Sequence, residues 1–154
     1  MGSDYPNVSV KNMLVDAAAT ALCLDPCQFD VMVMENMFGD ILSDQAGGII
    51  GSLGLMPSAC VGEKKSYFEP SHGSAPDIAG QSKANPLAMV MSFAMMLKYS
   101  FNMQEDSELV EKAVQNVLLK GLRTADIKDG AKKIISTKEM GDAVIQELKL
   151  LSGN

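Results

Sequence analysis

The chain has 154 residues, 47% of them apolar and 21% charged, with 13 Lys and Arg against 19 Asp and Glu. This balance excludes disordered, collagenous and membrane-bundle classes and is enough for a real globular core. The net charge of −6 leaves no basic surplus to track phosphates, which argues against nucleic acid and anionic membranes as partners.

Residues 12–24 predict a first helix, rich in Ala17, Ala18, Ala19 and Ala21 and stopped by Asp25-Pro26. Phe29 to Met34 is a short apolar run with β-branched members and predicts a buried strand. Residues 35–39 read as a loop, and Asp40 to about Ile50 as a helix with Asp40 at its cap or first turn. Five glycines between Gly47 and Gly62, with Pro57, predict a chain reversal with short strands near 59–61. A strand end follows at Tyr67-Phe68-Glu69. Pro70 to Gly80 is eleven residues of turn chemistry, and long ordered loops of this kind are disproportionately functional.

Asn85-Pro86 opens a helix to about Tyr99 or Phe101, with Asn as N-cap and Pro at the first helical position. Its apolar stretch, 87–97, is far shorter than the ~20 residues a bilayer span needs. Asn102-x-x-Glu105 predicts a capping box for a helix over 105–120, which Gly121 stops. Thr124 to Ile127 is a short connection or strand, and Ser136-x-x-Glu139 caps a last helix to about Leu150. Few strands are visible for a doubly wound sheet, which hints at part of something larger.

Met1-Gly2-Ser3-Asp4 has neither a basic nor an apolar leader region, so no signal peptide is expected. Three cysteines point to reduced, buried thiols in a cytoplasmic or organelle-matrix protein. Among the 12 methionines, those at 32, 34, 37, 89, 91, 95 and 96 sit among apolar residues and read as flexible core filler.

Asp40 and Asp44 lie four apart, which puts both carboxylates on one helix face. Hard cations such as Mg²⁺ or Mn²⁺ would offset their repulsion. Taken alone, the pair reads first as a solvated acidic turn. Asp16 stands among small and apolar residues, where an acid is either part of a polar stripe with Asn12 and Thr20 or a ligand. His72, the only histidine, cannot make a zinc site with such scattered cysteines. No Walker loop or Rossmann glycine fingerprint is present.

Several long motifs carry more. They are Asn36-Met37-Phe38-Gly39-Asp40-Ile41-Leu42-Ser43-Asp44, Gly51-Ser52-Leu53-Gly54 with Pro57-Ser58-Ala59, Glu69-Pro70-Ser71-His72-Gly73-Ser74-Ala75-Pro76-Asp77-Ile78-Ala79-Gly80, and Ala84-Asn85-Pro86-Leu87. Met13 to Ala19 and Arg123-Thr124-Ala125-Asp126-Ile127 extend the set almost from end to end. Together they resemble the β-decarboxylating dehydrogenases, the family of 3-isopropylmalate, isocitrate, homoisocitrate and tartrate enzymes. Phe38 with Leu87, and residues 94–100, lean towards the isopropylmalate branch.

The resemblance implies an α/β, isocitrate/isopropylmalate dehydrogenase-like fold, a three-layer sandwich of which only the C-terminal portion is present. Residues 1–50 would belong to the second, dimerising and metal-binding domain. Residues 51–154 would complete the first, cofactor-binding one. Asp40 and Asp44 match two metal ligands, and Asp16 a third that reaches the Mg²⁺ or Mn²⁺ of the partner subunit in a homodimer. Glu69, His72, Gly73, Ser74, Ala75, Pro76, Asp77, Ile78 and Asn85 match the NAD-binding positions. Asp77 matches the acid that faces the adenosine ribose in the family, where a carboxylate accepts bonds from free hydroxyls and repels a 2′-phosphate, so NAD is expected over NADP.

The implied reaction is metal-assisted hydride transfer from a 2-hydroxy dicarboxylic acid followed by loss of CO₂, in leucine biosynthesis. The family's substrate-gripping arginines and its catalytic Tyr and Lys precede the matched region, so the isolated chain is expected to be inactive. An isocitrate or homoisocitrate dehydrogenase fragment, or a non-catalytic cofactor-binding or regulatory subunit, are the alternatives.

Overall fold

The structure, a computed structural model, describes residues 4–153. The leader reading at Met1-Gly2-Ser3 therefore lies outside the described residues. Two compact units are present, Met1–Ile49 and Ile50–Asn154.

In the first unit, helix α1 (Val15–Leu24) begins after an extended Leu14. Helix α2 (Asn36–Ile50) begins four residues before the predicted start. The Gly39 amide donates to the Glu35 carbonyl at 2.9 Å, so the predicted loop at 35–39 is the opening of the helix. Asp40 therefore sits beyond the first turn rather than at the cap. Gly47 and Gly48 stay helical, and the chain breaks at Gly51, whose φ of 104° only glycine adopts readily.

Ala18, Leu22 and Leu42 form the buried core of this unit, with Phe29, Met32 and Met34 packed against it. Gln45 ties the two helices, donating to the Ala19 carbonyl at 2.7 Å and to Cys23 Sγ at 2.9 Å. The predicted buried strand at 29–34 is not observed. Phe29, Met32 and Met34 face the helices, but Val31 and Val33 are 79% and 93% exposed. No strand among the described residues pairs with this segment. A strand needs a neighbour for its ladder, and local sequence supplies only the apolar pattern.

In the second unit, β1 (Pro57–Val61) and β2 (Ser66–Pro70) form an antiparallel hairpin in which Ser58 faces Glu69 and Cys60 faces Tyr67. The hairpin packs on α3 (Leu87–Phe101). Ser92, fully buried on α3, shares its hydroxyl hydrogen between the Ala88 carbonyl at 2.8 Å and the Glu69 carbonyl at 2.9 Å. Helix α4 (Gln104–Leu119) packs on α3, with Ser107 Oγ donating to the Ala94 carbonyl at 2.9 Å.

The predicted capping box at Asn102 does not form. Asn102 takes φ 53° and ends α3, its amide bonding the Leu97 carbonyl, and Met103 becomes the N-cap of α4. Asparagine tolerates the left-handed region, and that use won here. Two-residue strands β3 (Leu122–Arg123) and β4 (Lys133–Ile134) pair in parallel. Helix α5 (Thr137–Leu151) starts with the full Ser136–Glu139 capping box and packs on α4. Leu87, Val117, Met140 and Val144 centre the core.

Two smaller expectations are corrected. Met140 is buried, and Met32, Met34 and Met91 pack on cores, but Met37 and Met89 are exposed. All three cysteines are free but exposed, not buried, because Cys23 and Cys27 sit where α1 ends and Cys60 lies on the open hairpin. No helix among the described residues is long and apolar enough to cross a membrane.

Candidate metal and cofactor site

Asp40 and Asp44 both project from the exposed face of α2, one turn apart. Asp40 Oδ2 accepts from Asn36 Nδ2 at 3.1 Å. No cation pairs with either carboxylate among the described residues. Two unneutralised hard oxygen donors at this spacing fit a divalent cation better than they fit an isolated helix, where they repel.

Asp16 lies in the first turn of α1, exposed, with Oδ1 accepting the Ala17 amide at 2.8 Å. Its position is the polar stripe of an amphipathic helix, and its charge complements the helix dipole. No group of three potential metal-ligating acids, histidines or cysteines converges among the described residues. The structure thus presents Asp40 and Asp44 as a pair and leaves Asp16 outside it.

The loop after β2 forms the second candidate site. His72 is half-buried, and its Nδ1 is 2.8 Å from the Gly73 carbonyl. Ala75 adopts φ 43°, a left-handed turn that leads into a short 3-10 turn at Pro76–Ile78. Asp77 is exposed in that turn, and its carbonyl accepts from Gln81 Nε2 at 2.8 Å. His72, Gly73, Ser74, Ala75 and Ile78 line one wall of an open groove of about 380 Å³. Residues 82–84 and the start of α5, through Thr137 and Lys138, complete it. A groove of this volume accommodates part of a dinucleotide.

Pro76 and Asp77 stand at the groove's edge in sequence but do not line it, and Glu69 and Asn85 do not line it either. Glu69 is exposed on β2, with its carbonyl held by Ser92. Asn85 is only 7% exposed. Its Oδ1 accepts the Leu87 amide at 3.0 Å, but the N-cap of α3 is Pro86, one residue later than predicted, and Leu87 is the first helical residue. Asn85 Nδ2 donates to Asp126 at 3.0 Å. The Asn85 side chain is thus fully engaged within the protein.

Asp126 is the residue whose role the sequence left unread. Burial pushes its carboxyl up, but the hydrogen bonds it accepts, that from the Ser52 side chain foremost, outweigh it and hold the carboxyl below its ordinary value. Nothing in a linear sequence links Ser52, Asn85 and Asp126, which meet only in the fold. Arg123, the only arginine, is committed to structure. Its Nη1 donates to the Leu118 carbonyl at 2.6 Å and the Leu122 carbonyl at 2.9 Å.

A model of the isocitrate/isopropylmalate dehydrogenase family matches residues 1–144. The chain is 56% identical over 155 residues to a 3-isopropylmalate dehydrogenase of Paramagnetospirillum magneticum, covering 97% of this chain and 42% of that protein. It is 54% identical over 149 residues to the enzyme so named in Neisseria meningitidis, again covering 96% of this chain and 42% of the relative. Among solved structures, an isocitrate dehydrogenase from Methylococcus capsulatus superposes with a TM-score of 0.91 at 38% identity, over 96% of this chain and 43% of that one. A β-decarboxylating dehydrogenase from Thermococcus kodakarensis gives 0.83 at 35% identity, over 98% of this chain and 43% of that one. The chain thus spans about 42% of the length of the curated relatives it matches. The α/β fold is the isocitrate/isopropylmalate dehydrogenase-like one, and the chain belongs to the isocitrate/isopropylmalate dehydrogenase family.

Proposed function

We propose that this chain is the C-terminal portion of an NAD-dependent 3-isopropylmalate dehydrogenase, which oxidises and decarboxylates its 2-hydroxy dicarboxylic acid in leucine biosynthesis. The observation that carries this reading is the 56% identity to an isopropylmalate enzyme over 97% of the chain, against 38% to the isocitrate enzyme. The first unit contributes metal ligands and the dimer interface of the family's second domain, and the second unit contributes cofactor binding. The intact enzyme is a homodimer working in the cytoplasm or an organelle matrix.

When bound, a divalent cation would supply Lewis-acid polarisation of the substrate oxygens, and NAD would supply the hydride acceptor. Asp40 and Asp44 hold Mg²⁺ or Mn²⁺ through carboxylate oxygens, and Asp16 serves the metal of the partner subunit. Its exposed place on α1, apart from the other two, suits a role across an interface. His72 to Ala75 and Ile78 wrap the adenosine part of NAD, Asp77 accepts from its ribose hydroxyls, and the Asn85 main chain meets the adenine. Glu69 and Pro76 flank this loop. The single arginine is bound to backbone carbonyls, so Arg123 does not itself grip a dicarboxylate.

Grafting the chain in place of the matching portion of the Paramagnetospirillum magneticum enzyme tests the reading. The chimera should form NADH with isopropylmalate and Mn²⁺ far faster than with isocitrate. A preference for isocitrate would move the chain to that branch, and a folded chimera inactive with both would overturn the catalytic reading.

A further inference from the structure

We infer that Asp126 is a positioning residue for the adenosine-binding segment, an inference that rests on the cofactor reading above. Asp126 Oδ2 accepts from Ser52 Oγ at 2.5 Å and from Asn85 Nδ2 at 3.0 Å. Ser52 Oγ in turn accepts the Gly54 amide at 2.9 Å. One carboxylate oxygen thus joins three stretches of chain separated by 41 and 74 residues.

Packing closes the arrangement. A Cβ on Gly54 would fall 2.7 Å from Asn85 Cβ and 3.1 Å from Asp126 Oδ2, so the glycine permits the close approach. From the other side, the Thr137 amide donates to the Ser82 carbonyl at 2.9 Å, and Thr137 Oγ1 to the Ala84 carbonyl at 2.5 Å. Residues 82–85 are therefore clamped between α5 and Asp126. Ser82 holds φ 54°, an unfavourable conformation for a side-chain-bearing residue that such a clamp sustains.

Ser82, Lys83 and Ala84 of this segment line the groove, while Asn85 and Asp126 do not. Asp126 therefore acts through Asn85. With the Asn85 amide fixed, its main chain and that of Ala84 keep one position beside the groove. Releasing the amide frees the segment to rotate about its Thr137 anchor, and a ligand must then order it on binding.

Calorimetric titration of the 154-residue chain with AMP and with NAD, together with amide hydrogen exchange, tests the role. Asp126→Asn should weaken AMP about tenfold, the weight of one well-made polar interaction. Exchange should quicken at residues 80–87 while α4 and α5 stay protected. Ser52→Ala removes one partner of the same carboxylate and should give the same local pattern with a smaller loss, which decides the matter if Asp126→Asn unfolds. Unchanged AMP affinity, or exchange that quickens throughout α3 to α5, overturns the positioning role and leaves the cofactor reading standing. A wild-type chain that binds neither AMP nor NAD overturns the cofactor reading itself, and this role with it.

Discussion

Asp40 and Asp44 share the exposed face of α2 one turn apart, and no cation neutralises either among the described residues. Like charges at this spacing cost a helix about 0.2–0.5 kcal/mol. Asp44→Asn should therefore raise stability slightly in EDTA. The same variant should lose the stabilisation that Mn²⁺ gives the wild type, since a ligand that binds only the folded state raises its stability. Thermal melts with and without Mn²⁺ read both effects, and an undiminished Mn²⁺ shift in the variant would remove this pair from the metal site.

Asp77 is exposed in the turn after Ala75, at the edge of the groove. Its carboxylate favours free ribose hydroxyls and repels a phosphate. Asp77→Lys in the chimeric enzyme should lower kcat/KM with NAD and raise it with NADP. No movement towards NADP would mean that another residue faces the ribose.

Acid should loosen the second unit through two carboxyls. Backbone and side-chain bonds from Ser136 hold Glu139 below its ordinary value, and the Ser52 and Asn85 bonds do the same for Asp126 against its burial. Both groups are depressed in the folded state. Their contribution is therefore full above the ordinary carboxylate range of about 4 and is lost as pH falls through the lower folded values. Urea midpoints between pH 7 and pH 3 should drop less steeply in Glu139→Gln and Asp126→Asn than in the wild type. Parallel slopes would contradict the assignment.

Two glycines should answer alanine in opposite directions. At Gly54 a Cβ meets Asn85 Cβ at 2.7 Å, and Gly54→Ala should destabilise the chain by about 1–3 kcal/mol. At Gly48, inside α2, a Cβ meets nothing within 4 Å, and Gly48→Ala should stabilise it by about 0.5–1 kcal/mol. Urea denaturation of the two variants measures the contrast.

What could be read in advance was local. The Ser136–Glu139 capping box and the glycine stop at Gly121, with φ 81°, are settled by residues within one turn of each other. So is the start of α3 beside Asn85-Pro86, one residue later than predicted. What could not be read depends on distant chain. The apolar run at 29–34 found no partner strand, leaving Val33 in solvent. Asn102 had two local uses, and its left-handed turn at the end of α3 prevailed over capping α4. At the site, the spacing of Asp40 and Asp44 was legible because a helix fixes it. Asp126 was not, because its partners lie 41 and 74 residues away.

We propose above that this chain supplies the metal- and cofactor-binding portion of an isopropylmalate-oxidising enzyme. The most direct test is NADH formation from isopropylmalate and Mn²⁺ by the purified chain, alone and recombined with the preceding portion of the Paramagnetospirillum magneticum enzyme. The chain alone should show no turnover, the recombined pair should turn over, and Asp44→Asn should abolish that turnover. Turnover by the chain alone, or by the recombined Asp44→Asn variant at the wild-type rate, would contradict the proposal.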